Sequence, residues 1–529
     1  MFTRPAWLNP SSKKFRWTFL IVLIILVIGI GAILNAFVAL PHPFSASAQP
    51  TDPAWLCQHA AETVNPVQAE NDCSGTTNWR PDRPTGPEHA IEGFTAPVSV
   101  QAGETVKLYV STTASAYTFA IYRMGWYNGL GGRLVYSSTQ LSGIQQPAPM
   151  IDPATRMVSC SNWNPQTTLS IPKNWVSGVY IVKLLAGGYM RYTSFVVRND
   201  QSHAAILFQT SVLTYEAYNT WGGYSLYSGV STPGEAPSLN RSYVVSFDRP
   251  NDRGDGLGDF PIYDEYNMLR WLERSGYDVT YSTDIDTDQR PATLLQHRLF
   301  LIAGHDEYWS TAMRDNVTTA RNNGVSLAFF GGNDVYWHVR LQNSPLGADR
   351  EVVCYKIGYY AHDPAVDPLA ASHPSEATVL WRAAPLRQPE NALMGEMYID
   401  HVAPSSLVLT NAAQPLFGDT SLHAGSQVAG VVGGEYDHIY QNGATPAHLI
   451  TLAASPVRCI TSSTCPKNSD TADSTLYQAP SGAKVFDAGT FYWGWGLDND
   501  SFDPATPLPT PVTPAFQQFT ANLLAYMMK

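Results

Sequence analysis

The residues best placed for chemistry fall in three short segments, each following an apolar run. Gly304-His305-Asp306-Glu307-Tyr308-Trp309 sets three ionisable groups in succession behind the run 298–303. Taking such groups out of water costs free energy unless they are paired or used, so their position calls for a functional reason. The segment 214–227 contains Tyr215, Tyr218, Tyr224 and Tyr227 together with Gly222 and Gly223. The third, Gly331-Gly332-Asn333-Asp334-Val335-Tyr336-Trp337-His338, has glycines that let backbone approach a ligand closely and an amide that both donates and accepts.

Tyrosines capable of forming phenolates, combined with a carboxylate, make a hard, oxygen-rich donor set. It suits trivalent iron or another hard cation better than zinc or copper(I). A metal held this way can polarise a carbonyl and activate water, with His305 supplying or accepting protons. Each segment also has a plain structural reading, in which the tyrosines are core, Asp306 caps a helix and Asn333 bonds a loop. Three such segments together favour a site.

The elements that must position these segments alternate as strand and helix. Residues 204–209, 277–282, 298–303 and 325–330 read as strands, while 263–275 and 310–322 read as helices, the latter with Ser310 as its cap. This grammar predicts a parallel sheet covered on both faces, with ligands bound beyond the carboxyl ends of its strands. Further strands are expected at 406–410, 428–432 and 483–488. A closing helix over 514–528 carries Phe516, Phe519, Leu523, Leu524 and Met527 on one face. Residues 201–529 are therefore read as one α/β domain.

Upstream, residues 96–200 show short β-type runs between Gly, Ser and Pro turns, the pattern of a β-sandwich. Its aromatic, glycine-rich loop 122–132 is expected to pack on the next domain, with sugar binding as the alternative. Residues 41–95, rich in Pro, Ser, Thr and Asn, read as a spacer and irregular lead-in. Residues 17–40 carry no charge, and about 20 apolar residues suffice to cross a bilayer as a helix. Arg4, Lys13, Lys14 and Arg16 lie within a basic tail, 1–16, which places the body outside the cytoplasm of a cell membrane. The segment is read as an uncleaved single-pass anchor, although Ala46-Ser47-Ala48 is a cleavage candidate.

Six cysteines in an oxidising location imply local disulfides at Cys57/Cys73 and Cys459/Cys465, with Cys160 and Cys354 paired or free. No spacing supports structural zinc. The net charge of -12 argues against a nucleic-acid partner, which needs a basic face. Oligomeric state is left open, a homo-oligomer included. No Gly-x-Ser-x-Gly elbow occurs, and no cysteine follows the run 298–303, which disfavours a covalent Ser or Cys mechanism. The acidic segment 284–288 lacks the central glycine and final glutamate of an EF-hand and reads as a solvated turn. The charged loop 248–259 is either a lid or an insertion.

Taken in order, Tyr218-Asn219-Thr220-Trp221-Gly222-Gly223-Tyr224-Ser225-Leu226-Tyr227, Phe247-Asp248-Arg249-Pro250, the run 271–279, the run 304–309 and the run 331–337 resemble the C-terminal domain of the N,N-dimethylformamidase large (beta) subunit. The resemblance spans about 95–525. It implies a glutamine-amidotransferase-like α/β domain and an amidohydrolase with one iron, Fe3+, held by two tyrosines and a glutamate. By resemblance Glu307 is the carboxylate ligand, with Tyr218 and Tyr227 as the tyrosines and Tyr263 in reserve. His305 and Asn333 would be catalytic neighbours, and Trp221, Tyr308 and Trp337 are candidates for contact with a small amide-like substrate. Two rival readings are a non-catalytic binder of carbohydrate or cell-surface polymer, and a metal-free glycan or ester hydrolase using His305 and Glu307.

Overall fold

The apolar runs form a seven-stranded sheet in the order Val279–Thr283, Ile206–Thr210, Leu299–Gly304, Ser326–Gly331, Lys484–Asp487, Asp470–Gln478, Ile450–Val457. The first five strands pair in parallel and the last two antiparallel. Alternation along each strand divides one run between two faces. Phe208, Leu301 and Phe330 join Phe516, Phe519 and Leu523 of the helix Pro514–Met527 on one side. Leu207, Phe300, Ile302 and Phe329 meet Met313 and Val317 of the helix Thr311–Asn322 on the other. Ser310 caps that helix, its hydroxyl accepting from the Met313 amide at 3.0 Å. Burial on both faces is why these strands read as continuous apolar runs.

This computed structural model describes residues 57–529 apart from 88, 231–239, 253–264, 357–365, 461–464, 466–468 and 503–507, all within the unit Asp52–Lys529. The expected anchor 17–40, the cleavage candidate Ala46-Ser47-Ala48, Tyr263 and most of the loop 248–259 lie outside the described residues. No helix among the described residues is long and apolar enough to cross a membrane.

The expected strands near 406 and 428 are parts of a longer antiparallel pair, Met397–Val408 with Gln427–His438, which forms its own two-stranded ribbon. Polar residues such as Asp400, His401, Glu435 and Asp437 break its apolar pattern, so only fragments of it read as strand. The molecule is mixed α/β and mostly strand.

The β-sandwich pairs a sheet containing Ala116–Met124, Gly178–Ala186 and Tyr189–Arg198 with a sheet of Ile91–Ala96, Thr105–Thr112 and Thr167–Ser170. Val106, Leu108, Ile121, Val182, Leu184 and Phe195 fill its core. Its first strand begins at Ile91, within the stretch expected to be an irregular lead-in, and that stretch also holds the helix Pro66–Asn71. Disulfides join Cys57 to Cys73 and Cys459 to Cys465, while Cys160 and Cys354 are free and buried. The acidic segment expected to be a solvated turn is instead the helix Asp284–Gln289. Asp286 closes a capping box with Thr283, and Asp284 is fully buried.

The loop 122–132 packs on the helix Tyr266–Arg274. Arg123 donates to Glu273 through both terminal nitrogens, at 2.9 and 3.1 Å, and both side chains are fully buried. Asn71 and Tyr281 donate to the same carboxylate at 2.7 Å each. Gly125 is required here because a Cβ would lie 2.3 Å from Glu273 Oε2. Trp126 lies beneath the guanidinium groups of Arg270 and Arg274. Removing one member of a buried ion pair leaves the other charge uncompensated, at a cost of about 3–5 kcal/mol. Arg123→Met should therefore lower the unfolding free energy by about that much in denaturant titrations, and the double substitution Arg123→Met/Glu273→Leu should recover a large part of it. A loss in the single variant no larger than that of an ordinary surface change would contradict the assignment.

Candidate active site

Four adjacent parallel strands end at one edge of the sheet, and the residues just beyond them make the site. Beyond Ile206–Thr210 the chain enters the helix Val212–Tyr218, whose Thr214 hydroxyl accepts from the Glu307 amide at 3.0 Å. Beyond Leu299–Gly304, whose terminal glycine has φ +79, come His305 and Glu307. Beyond Ser326–Gly331 comes Asn333, at φ +53, a left-handed conformation that asparagine tolerates better than most residues. Beyond Lys484–Asp487 comes Phe491, whose ring lies 4.4 Å from the His305 ring.

The turn between Tyr218 and Tyr227 is fastened from inside. Gly222 and Gly223 both take positive φ, and the fully buried Arg249 donates to the carbonyls of Asn219, Trp221 and Tyr224 and to the Glu216 carboxylate. The Phe247-Asp248-Arg249-Pro250 motif thus acts as a staple in its described part. With the turn held, the Tyr218 and Tyr227 rings stack at 4.1 Å, and both hydroxyls donate to Glu307 Oε2, at 3.0 and 2.6 Å.

A hydrogen-bonded chain supports this pair. Lys356 donates to the Tyr308 hydroxyl, which donates to the Tyr227 hydroxyl, which donates to Glu307. Lys356 Nζ also sits 3.4 Å from the Tyr227 ring centroid and 3.9 Å from Glu307 Oε1. Burial alone would push the Glu307 carboxyl up, but Lys356 and His305 hold it at about 2. Burial lowers Lys356 to about 8. Burial also opposes charge on His305, yet its contact with Glu307 and the nearby Glu435 raise it to about 10. The His305 Nδ1 faces the Gly332 carbonyl at 3.1 Å, and a carbonyl only accepts, so Nδ1 carries hydrogen. Nε2 then faces Glu307 Oε2 at 3.3 Å and Glu435 Oε2 at 3.7 Å.

Glu435, on the strand Gln427–His438, completes the cluster. It accepts from Asn333 Nδ2 at 2.7 Å, and the Asn333 amide donates to Asp437 at 2.9 Å. Neither Glu435 nor Lys356 stands out in the sequence as a site residue. The one available signal for Glu435 is Gly433-Gly434-Glu435, a glycine pair before a polar residue that matches Gly331-Gly332-Asn333. A lone lysine after a β-type run has no comparable signature.

The structure brings together Tyr218, Tyr227, His305, Glu307 and Asn333. Of the three expected substrate contacts, Tyr308 joins the cluster through its bond to Tyr227, while Trp221 lies elsewhere and Trp337 is buried. Trp221 donates from its indole to Glu92 and packs edge-on against Trp163, at the boundary with the sandwich. Tyr308 and Trp337 are buried beneath the cluster, where both rings lie under Lys356. Asp306 accepts from Gln209 at 2.6 Å and does not cap the helix. Among the described residues, no three His, Cys, Asp or Glu side chains form a group that could hold a metal.

The family model described as N,N-dimethylformamidase beta subunit-like, C-terminal, matches residues 118–503, well over half of the chain. The chain belongs to this family. Membership of the N,N-dimethylformamidase beta subunit-like family points to a hydrolase, and the match takes in every residue of the cluster. No curated protein matches. A solved structure of an uncharacterized protein from Bacillus anthracis str. Ames is similar over 19% of this chain and 77% of its own, at 16% identity and a TM-score of 0.14. A likeness that slight carries no argument about this family member.

Behind Asn333, the family member holds further carboxylates, on Asp334, Glu396, Asp437 and Asp487, all nearly or fully buried. Both oxygens of Glu396 and one each of Asp437 and Asp487 have no hydrogen-bond partner among the described residues. Burial raises each of these groups, Asp437 to about 7 and Glu396 and Asp487 well above the usual range, with neighbouring carboxylates adding to the shift. An acid raised in the folded state favours folding fully only below its unfolded value, about 4, and this contribution is lost as pH climbs toward the folded value. Glu396→Gln removes the ionisation without changing shape. Its melting temperature relative to wild type should therefore rise between pH 4.5 and pH 7, by about 1.4 kcal/mol of stability per pH unit crossed. A difference independent of pH in calorimetry would refute this.

Proposed function

We propose that the protein hydrolyses amide-like C–N bonds of small molecules, using an iron held by Tyr218, Tyr227 and Glu307. The observation that carries this reading is the convergence of two tyrosine hydroxyls on a single oxygen of a buried glutamate. Three hard oxygen donors drawn from two segments fit a hard cation by donor chemistry. When bound, such an ion supplies Lewis acidity toward a carbonyl and acidifies water.

The remaining steps belong to side chains. Glu435 is placed to take a proton from the attacking water, with Asn333 orienting it through the 2.7 Å contact. The fixed Nδ1–H of His305 leaves Nε2 aimed at the cluster, where it stabilises negative charge developing on the carbonyl oxygen or gives a proton to the leaving nitrogen. Lys356, through Tyr308, holds Tyr227 in place. Phe491 covers one face of the His305 ring and limits water there. We further infer that the body works outside the cytoplasm on the anchor 17–40, a reading supported by the two disulfides.

Elemental analysis tests the ligand set. Wild-type protein should carry iron, and Glu307→Gln and Tyr227→Phe should lose it while keeping the far-ultraviolet circular dichroism of the fold. Unchanged metal content in either variant would remove that residue from the set. Glu435→Gln should keep its iron and lose about 10²–10⁴-fold in kcat, read as amine release from formamide, N-methylformamide, N,N-dimethylformamide or acetamide. For the placement, alkaline washing of membranes should leave the full chain in the pellet. Its recovery in the soluble cytoplasmic fraction would contradict the anchor.

A further inference from the structure

The cluster is buried, yet one of its members, Glu435, is in contact with a half-exposed residue. His401 lies directly opposite Glu435 in the ladder between Met397–Val408 and Gln427–His438. Its Nε2 is 2.9 Å from Glu435 Oε1, and 52% of its side chain is exposed, against 7% for Glu435. Tyr398 donates to the same oxygen at 3.3 Å.

Two residues three apart on a regular strand point to opposite faces. Here the register shifts between Tyr398 and Asp400, so that an extra residue is taken up and Tyr398 and His401 reach the same carboxylate. Bulges of this kind re-aim side chains and are over-represented beside active sites. The opposite oxygen of Glu435 faces inward, toward Asn333 Nδ2 and His305 Nε2. Glu435 is thus bridged, with the reacting cluster on one oxygen and a solvent-facing imidazole on the other.

We propose that His401 is the solvent-side end of a proton path that discharges Glu435, a positioning and relay residue for the hydrolysis inferred above. The chemistry supplies the need for it. When water cleaves an amide, a C–O bond forms and the C–N bond breaks. One proton of the water leaves on the amine nitrogen, and the other must depart as the product becomes a carboxylate. Glu435 collects that second proton, and His401 passes it to bulk water by turning over between imidazole and imidazolium. The groups facing His401 suit this role. Glu435 raises its basicity through the direct contact, burial works the other way, Asp400 at 3.8 Å adds to the rise, and His305 subtracts from it. The Tyr398 hydroxyl lies 3.4 Å from Nδ1.

The proposal rests on the amidohydrolase reading, and two measurements keep their failures apart. The first needs no turnover: His401 is titrated by nitrogen-15 NMR in the full chain, in wild type and in Glu435→Gln. A raised value in wild type that falls in Glu435→Gln supports the dyad, and an ordinary, unchanged value overturns it. The second follows amine release from the four amides at low buffer concentration. His401→Gln, which can still hydrogen-bond but cannot carry a proton, should lower kcat by about tenfold or more with KM unchanged, and added imidazole should restore the rate. A kcat equal to wild type, or a loss that imidazole does not repair, overturns the relay. If wild type releases no amine from any of the four, the amidohydrolase reading falls, and the NMR titration still decides whether His401 and Glu435 act as a coupled pair.

Discussion

A carboxylate buried to within a few per cent of complete exclusion from water is the constraint on which the site depends. Glu307 cannot remain ionised in that position without compensation, because desolvation of a lone carboxylate costs several kcal/mol. Compensation comes from Tyr218 and Tyr227 on one oxygen, from His305 beside them and from Lys356 farther off. Of these partners only His305, two residues earlier, is near in sequence. Satisfying one charge therefore obliges the turn 218–227 and the segment after Val353 to meet beyond the strand Leu299–Gly304.

That meeting is engineered by backbone chemistry at strand ends. Glycine at 304, 222 and 223 and asparagine at 333 adopt left-handed conformations that most residues avoid, and each sits where the chain must turn sharply into the site. Arg249 then spends its donors on the carbonyls of the tyrosine turn, replacing the regular hydrogen bonds that such a loop lacks. The sandwich contributes at a distance. Its Arg123 is locked to Glu273 on the helix Tyr266–Arg274, and that helix also bonds Asp498 and Asp500 just after the Phe491 segment.

The antiparallel ribbon has a different task. It lies outside the main sheet and is rich in charge, and through Glu435 it reaches the cluster at Asn333 and His305. The carboxylates behind it keep the region electrostatically tense, since Glu396 and Asp487 are buried near one another without cationic partners among the described residues. Stability is given up there in favour of a polar interior close to the reacting groups, a common feature of functional sites.

By itself the sequence determined the parallel part of the main sheet, the sandwich, the local disulfide pairs and most of the central cluster, but not the two antiparallel strands that extend that sheet. Those features follow from short-range rules: apolar runs flanked by glycine, alternation with amphipathic helices, and ionisable residues placed directly after core strands. The segments holding Glu307, His305 and Asn333 were legible for that reason, whereas the choice of Tyr218 and Tyr227 among the crowded tyrosines of 214–227 was what the family resemblance implied. Only the tertiary structure brings Lys356 beside Glu307, Glu435 to Asn333 and His401 to Glu435, and sets Trp221 against Glu92 and Trp163. Lys356 and Glu435 lie 49 and 128 positions from Glu307, the first just beyond the strand Gly347–Val353 and the second on Gln427–His438, and the pairing of both strands is set by long-range packing. The bulge that turns Tyr398 and His401 to one face depends on register with the partner strand. Periodicity within a segment cannot report which distant segment it will face, because that choice is made by the packing of the whole.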